Sequence, residues 1–149
     1  RHRFGELYEA LAAHGAGDWE ETAEGALAAV IVLDQFPRNI FRDRPRAFAS
    51  DGQALRVAER AIARGLDAEL APTRRAFLYM PFQHSEDPGV QSRSVALFED
   101  LGNPRTLDFA RRHRAIIDRF GRFPHRNPIL GRETTAEEAA FLQEPDSAF

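Results

Sequence analysis

The side chains best suited to chemistry are concentrated in one segment of the sequence. Residues 120–127 read FGRFPHRN, and LGR follows at 130–132. Arginines, a histidine and an asparagine are therefore interleaved with aromatic residues around glycine and proline. A planar guanidinium group suits a carboxylate or a phosphate, and an imidazole can exchange a proton near neutral pH. The segment predicts an anion-binding site whose contacts are Arg122, His125, Arg126 and Asn127.

A structural role for the same arginines is the alternative, because guanidinium groups are rarely buried without partners. A salt-bridge network would then hold the segment onto the rest of the protein, with Asp34, Glu86 and Asp87 as the acidic partners. We expect a mixture of the two roles. Arg122 follows the glycine that ends its helix and is expected to be structural, whereas Arg126 is expected to face the ligand.

A second polar cluster reads MPFQHSED at residues 80–87 and is followed by Gln91. Its predicted ligand contacts are His84, Glu86, Asp87 and Gln91. The cluster also supports an enzyme hypothesis in which His84 or His125 is the general acid or base. Glu86 or Asp87 would then orient the imidazole, although these carboxylates could equally serve only to cap a helix. The spacing matches no established zinc motif, and we predict neither a metal site nor a cofactor.

A third cluster, LDQFPRN at residues 33–39, ends an apolar segment. Its predicted ligand contacts are Asp34, Gln35, Arg38 and Asn39. Alternatively, these side chains satisfy backbone groups that Pro37 frees, with Asp34 and Arg38 as an ion pair. His113 is a further candidate contact on an otherwise apolar helix face. A histidine in such a place is more often a core residue bonded to a neighbour.

These clusters are far apart in sequence, yet unpaired arginines beside many aromatic residues would be costly to bury. We therefore expect the polar residues to converge on one cavity or one network. The residues expected there are Asp34, Arg38, His84, Glu86, His113, Arg122 and Arg126.

Helical periodicity dominates the elements that must position these residues. Helices are predicted over 3–14, 22–34, 45–65 and 72–83, from a cap at Ser85 to Gly102, over 104–121, and after a capping box at Thr134 or Thr135. The run VIVL within 22–34 could be a strand, but the alanines before it favour a buried helix. We predict an all-α fold of about seven helices that pack in antiparallel pairs.

Prolines are expected to set several boundaries between these helices. Pro37 should break the helical pattern and open a short helix through Phe41. Pro81 should limit the helix over 72–83. Residues 121–133, which contain both glycine and proline, are expected to form an irregular loop.

Length and composition are typical of one folded domain over residues 1–149. The net charge of -3 argues against bulk binding of nucleic acid or of a membrane surface. The chain has no cysteine, which excludes disulfides and thiolate chemistry. All 20 basic residues are arginine, which excludes lysine Schiff bases. No apolar run is long enough to span a bilayer, and a cytoplasmic location is expected by elimination.

The combination of motifs resembles a bacterial family of unknown function, catalogued as domain of unknown function 924. The motifs are LDQFPRN (33–39), MPFQHSED (80–87), Gln91 with SVALF (94–98), FGRFPHRN (120–127) and LGRETTAEEAAFL (130–142). The resemblance covers essentially the whole chain and implies a tetratricopeptide-like α-α superhelix. It implies no activity. Members usually open with an aromatic-rich segment and a first helix, which this chain is expected to lack before Arg1.

Three functions remain open from the sequence. The first is binding of a small anionic ligand or an acidic peptide at a pocket lined by Arg38, His84, Arg122, His125 and Arg126. The second is an enzyme with a histidine acid or base. The third is a protein-interaction scaffold that uses a concave helical surface. One closed pocket would favour the first two, whereas a wide exposed groove would favour the scaffold.

Overall fold

Helices make up the regular structure of this chain, of which a computed structural model describes residues 2–149, with side chains from Arg3 onward. No strand occurs within these residues, so the all-α prediction is confirmed, including the run VIVL. The helices are α1 (His2–His14), α2 (Ala23–Val30), α3 (Phe36–Ile40), α4 (Asp51–Ala63), α5 (Pro72–His84), α6 (Pro88–Leu101), α7 (Pro104–Phe120), α8 (Asn127–Leu130) and α9 (Ala136–Phe141).

A π-helical turn, Ile31–Gln35, joins α2 to α3 without interruption. Within it the Phe36 N–H donates to the Ile31 carbonyl, five residues back. The expected break at Pro37 is therefore wrong, because this proline falls in the first turn of α3, where a missing N–H is tolerated. If α2, the π turn and α3 are taken as one helix, residues 2–149 contain eight helices, close to the expected seven.

A serine hydroxyl supports this π turn from outside the helix. An α-helical N–H at position 37 would bond the Leu33 carbonyl, but proline has none to donate. Instead the buried Ser50 Oγ donates to the Leu33 carbonyl at 2.6 Å. Ser50 consequently makes no side-chain cap for α4. The helix predicted over 45–65 is therefore divided into a 3-10 turn, Pro45–Phe48, and α4.

Other predicted boundaries differ by small amounts. The helix α5 continues past Pro81 to His84. Asp87, not Ser85, caps α6, since its Oδ1 accepts the Val90 N–H at 2.9 Å. The predicted loop over 121–133 contains a 3-10 turn, Pro124–Arg126, and the short helix α8. The capping box of α9 forms in the Thr135 register.

The helices pack so that the candidate site lies where several separate parts of the chain meet. The helix α4 packs on α5, α5 on α6 and α6 on α7, and α2 packs on both α4 and α5. Fully buried side chains such as Leu33, Leu78 and Phe82 form the main core. A smaller core around Ile117 and Phe123 lies beneath the 121–133 segment. None of the described helices is both long enough and apolar enough to cross a membrane.

Candidate functional site

A cavity of about 240 Å³ lies between the π turn, the C-terminal end of α5, the middle of α7 and the 121–133 segment. We call it the histidine pocket. Its lining residues are Gln35, Arg38, Phe48, Met80, His84, His113, Phe123, His125, Arg126 and Phe149. These include two arginines and three histidines but no carboxylate, so the wall offers cationic and proton-donating groups to a ligand.

A buried aspartate stands behind the histidine wall. Asp34, fully buried in the π turn, places Oδ1 at 2.7 Å from Nδ1 of His84. It also accepts from Gln35 Nε2 at 2.5 Å and from Arg38 Nη1 at 3.3 Å. Burial alone would raise the pKa of Asp34, but His84, Arg38 and Gln35 outweigh it and lower that pKa. A carboxylate at Nδ1 makes that nitrogen the donor and leaves Nε2 of His84 for the pocket.

Arg38 is fully engaged by a second carboxylate. Its Nη1 and Nη2 donate to the two carboxylate oxygens of Asp51 at 2.7 and 2.9 Å. Its Nη1 also donates to the Asp34 carbonyl at 2.8 Å. The bidentate geometry fixes the guanidinium plane at the edge of the pocket.

Arg126 is the least compensated cation at the site. Its guanidinium lies between the rings of Phe48 and Phe123, 4.5 and 4.7 Å from their centroids. Nη2 donates to the His84 carbonyl at 2.9 Å, but the nearest carboxylate oxygen, on Asp51, is 3.8 Å from Nη1. Nε is shielded from solvent and has no acceptor within residues 2–149. Burial lowers the pKa of Arg126 and outweighs the opposite effect of the Asp51 carboxylate, while the charge of Arg38 acts in the same direction as burial.

His113 reaches the pocket from α7. Its Nδ1 donates to the Phe109 carbonyl at 2.7 Å, and its ring stacks on Phe149 with centroids 3.9 Å apart. Burial lowers its pKa to about 4, so the ring is neutral at pH 7. His113 is therefore a buried histidine bonded to a neighbour, as the structural alternative predicted, and it also lines the pocket.

His125 reaches the pocket from the 3-10 turn that also carries Arg126. Its Nδ1 is shielded from solvent and has no hydrogen-bond partner among the described residues. Burial, followed by the charge of Arg126, lowers its pKa to about 4. Two adjacent residues thus present buried polar nitrogens with unused hydrogen-bonding capacity, which native structures rarely leave unexplained.

Beside the pocket, a set of fully paired side chains ties the 121–133 segment down; we call it the loop network. Arg132 donates from Nη1 and Nη2 to the carboxylate of Glu86 at 2.9 and 3.1 Å. Arg122 donates from Nη2 and Nε to Glu138 at 2.7 and 3.0 Å. Asn127 links the two pairs, because it accepts from Arg132 Nε and donates to Glu138.

The carboxylates of the loop network are held in the charged form. Arg122 is the main cause that lowers the pKa of Glu138 to about 2. Burial alone would raise the pKa of Glu86, but Arg132 and the Phe123 N–H, which donates at 2.6 Å, outweigh it and lower that pKa. The network therefore resembles the structural alternative stated for these arginines.

The structure brings together only part of the predicted set. Gln35, Arg38, His84, His113, His125 and Arg126 line the histidine pocket, with Asp34 behind them. The expectation that Glu86 and Arg122 share this cavity is wrong, because each is engaged in the loop network. The expectation that Glu86 or Asp87 orients the imidazole of His84 or His125 is also wrong. Asp34 contacts Nδ1 of His84, and Nδ1 of His125 has no hydrogen-bond partner among the described residues.

The remaining predicted contacts have local structural partners. Asn39 donates to the Gln35 carbonyl at 3.0 Å and lines a different cavity. Asp87 caps α6. Gln91 is fully buried and donates to the Gln83 and Ser85 carbonyls at 2.8 and 2.7 Å, which closes the end of α5. Asn127 belongs to the loop network.

Sequence reasoning missed several residues of the site. Asp51 and Phe48 lie in a segment that was predicted as one continuous helix, so neither was examined as a site residue. The dipeptide Ser50-Asp51 at a helix start was a usable signal. Met80 and Arg132 stand inside the quoted motifs, but no role was assigned to them. Phe149 lies far along the chain from the other pocket residues, and no local pattern marks it.

The next question is whether the described side chains could bind a metal ion. No group of three histidine, aspartate or glutamate side chains in the described part of the chain is placed to hold a metal ion. The chemistry that the arrangement offers is ionic binding at Arg126 and hydrogen bonding at the histidines.

Comparisons with known proteins agree with this architecture. A solved structure of a protein of unknown function from Agrobacterium tumefaciens is similar, with a TM-score of 0.91 and 45% sequence identity. The match covers 95% of this chain and 80% of that one. None of the curated proteins compared with the chain matches it. A family described as bacterial protein of unknown function (DUF924) matches residues 1–146, and the chain belongs to that family.

Proposed function

We propose that the protein binds a small carboxylate or phosphate in the histidine pocket, with Arg126 as the principal contact. The observation that carries the proposal is that Arg126 is only 6% exposed yet lacks a close carboxylate partner. A buried guanidinium without full compensation is costly, and an anion placed against it would remove that cost. A planar, permanently charged group is also well suited to carboxylate and phosphate oxygens.

The surroundings of Arg126 support the same ligand charge. No aspartate or glutamate lines the pocket in the described chain, so no acidic side chain on its wall would repel an anion. The nearby acidic residues are already bound to other groups: Asp34 to His84, Asp51 to Arg38 and Glu86 to Arg132. Nδ1 of His125 adds a second unused polar group beside Arg126. The stacked Phe48 and Phe123 rings hold the guanidinium in place before a ligand arrives.

A thermal-shift experiment with sulfate tests the proposal, because sulfate keeps its charge over the useful pH range. Wild-type protein is compared with Arg126→Met in sodium sulfate and in sodium chloride of equal ionic strength. Sulfate at ten times its Kd should stabilise the wild type by about 1.4 kcal/mol beyond chloride. Arg126→Met should lose that increment, and its stability without sulfate should equal or exceed that of the wild type, since it removes an uncompensated charge.

A matched control is Arg74→Met, which removes an exposed arginine paired with Glu24 on the surface. This variant should keep the full sulfate response. If sulfate stabilises Arg126→Met as much as the wild type, the proposed binding site is wrong. The same conclusion follows if Arg126→Met is strongly destabilised in both salts, because the side chain would then be structural.

Acid–base catalysis on the bound anion is a second candidate, and the Asp34–His84 contact favours it. A buried carboxylate that fixes one imidazole nitrogen and leaves the other for a ligand is the arrangement of a general base. Turnover of small carboxylate and phosphate esters is the assay. His84→Gln should abolish any activity found, and Arg126→Met should raise KM more than it lowers kcat. Activity that survives His84→Gln would remove this candidate.

An interaction scaffold is less well supported than either candidate. Six of the predicted contact residues line one cavity of about 240 Å³, which favours a small ligand over an extended partner.

A further inference from the structure

A second cavity, which we call the apolar cavity, lies against the histidine pocket and has a volume of about 380 Å³. Phe48, His84 and Arg126 line both cavities and so form a shared wall. The other apolar lining residues are Pro45, Ala49, Leu55, Pro81 and Leu130. A ligand that pairs with the Arg126 guanidinium therefore lies next to the apolar lining of the second cavity.

The two cavities differ in charge, so they favour different parts of one ligand. The apolar cavity is lined by Asp51 and Glu86, but each carboxylate is bound bidentately by an arginine, Arg38 and Arg132 respectively. These carboxylates disfavour a second anion and need no further cation. The histidine pocket has no carboxylate on its wall in the described chain. An acidic group is thus favoured in the histidine pocket and an uncharged group in the apolar cavity.

The size of the site also exceeds what an inorganic anion fills. The histidine pocket alone, at about 240 Å³, has room for on the order of eight water molecules at about 30 Å³ each. The apolar cavity lies within the range of about 300–1,000 Å³ that is usual for small-molecule sites. A lone phosphate or sulfate would leave most of this combined space unused.

Resting on the anion site proposed above, we propose that the ligand is a small organic acid with an apolar body. Its acidic group pairs with Arg126 in the histidine pocket. Its aliphatic or aromatic body lies in the apolar cavity against Phe48, Leu55 and Leu130. Affinity then comes from two sources, an ion pair that fixes orientation and apolar burial that selects for chain length.

Isothermal titration calorimetry with acetate, butanoate, hexanoate and uncharged hexanamide tests this assignment in the wild type. Each methylene that enters the apolar cavity should tighten binding by about fourfold, the equivalent of about 0.8 kcal/mol. Hexanoate should therefore bind at least tenfold more tightly than acetate, while hexanamide should bind far more weakly than hexanoate. Arg126→Met should lose acetate and hexanoate binding together.

A variant that fills the apolar cavity separates the two parts of the ligand. Gly52 lines this cavity from α4, and a Cβ at that position meets only Arg56 Nη1, at an ordinary distance of 3.5 Å. Gly52→Leu should therefore fold and should remove the chain-length gain while leaving the acetate Kd unchanged. Leu130→Asn, which makes the opposite wall polar, is a second variant with the same expected result.

The outcomes distinguish this inference from the anion site on which it rests. Acetate binding that depends on Arg126, with no gain from butanoate or hexanoate, would overturn the inference and leave the anion site intact. Hexanamide that binds as tightly as hexanoate would also overturn it. If neither sulfate nor any carboxylate binds in an Arg126-dependent way, the anion site and the inference both fail.

Discussion

Arg132 and Arg126 belong to the same short segment, yet their guanidinium groups have opposite surroundings. Arg132 makes a bidentate pair with Glu86 and donates to Asn127 and to a backbone carbonyl. Arg126 is more deeply buried, but it makes one backbone hydrogen bond and has no carboxylate oxygen closer than 3.8 Å. The bidentately paired Arg132 fastens the segment, whereas Arg126, whose one ion pair is long at 3.8 Å, has capacity left for a ligand.

The number of arginines in a segment does not show whether the segment binds a ligand. The hydrogen-bond and ion-pair partners of each arginine do. The loop network satisfies its charges internally, so a ligand would have to compete with existing pairs. The histidine pocket keeps cationic and neutral imidazole groups on its wall, with their acidic partners placed behind it. Stability and binding should therefore respond differently to changes in the two regions.

The largest expected effect is a loss of stability in Arg132→Met. This change leaves the half-buried Glu86 carboxylate without its bidentate partner, and breaking such a pair should cost about 2–3 kcal/mol, less than for a fully buried pair. Urea unfolding followed by circular dichroism measures it. Arg126→Met is the matched control, and its stability should equal that of the wild type or exceed it by no more than about 1 kcal/mol. If the two variants lose equal free energy of unfolding, the proposed difference between the regions is wrong.

The pH dependence of stability should sharpen the comparison, because the two regions titrate in different windows. His113 has a folded-state pKa of about 4 against an ordinary value of 6.5. The unfolded chain therefore binds more protons between these values, and stability falls as the pH falls through them. From pH 7 to pH 5 this histidine should cost about 1–2 kcal/mol. The loop-network carboxylates, whose pKa values are lowered, should lose stability only below about pH 4.5.

Urea unfolding at pH 7 and pH 5 tests the histidine window with His113→Phe. The phenyl ring keeps the contacts with Phe123 and Phe149 but cannot be protonated, so the variant should show a flatter response to pH. His14→Gln, at the exposed end of α1, is the control and should leave the response unchanged. An identical pH response in His113→Phe and the wild type would show that His113 does not carry the effect.

The smallest expected effect concerns the support of the π turn. Ser50→Ala removes the buried hydrogen bond to the Leu33 carbonyl and should cost about 1 kcal/mol. Ser92→Ala, which removes an exposed bond to the Pro88 carbonyl, should stay within about 0.5 kcal/mol. Ser50→Ala should also shift the imidazole resonances of His84 in NMR spectra, with the loop network unaffected. Unchanged His84 resonances would mean that Ser50 does not help to position the pocket.

Much of the fold could be predicted from the sequence because its signals are local. Apolar periodicity identified the long helices, and the start of α7 at Pro104 and the capping box of α9 form as expected. The π turn could not be predicted, because it depends on a hydrogen bond from Ser50 that forms only after the chain has folded. For the same reason the boundary between the Pro45–Phe48 turn and α4 was placed wrongly.

The site could be predicted as a set of polar residues but not as a set of pairs. Sequence reasoning marked His84, Arg126 and Asp34, which do meet. It could not decide which carboxylate meets which cation, since Glu86 and Asp34 are equally suitable partners by type. That choice depends on tertiary distances that no local pattern carries, and it is what separates the loop network from the histidine pocket.

The π turn Ile31–Gln35 has a consequence for which changes in chain length this protein can tolerate. A π turn holds one residue more than an α-helical turn, so the helix after it is displaced in phase by about 100°. Deleting one residue from 31–35 would let regular α-helix replace the turn. The lost residue would offset the lost π turn, so Arg38 would keep nearly its present phase, whereas Asp34, which lies inside the turn, would be displaced. The site thus depends on a single counted residue in mid-helix, whereas a deletion near Gly15 or Gly65, between helices, would leave its register untouched.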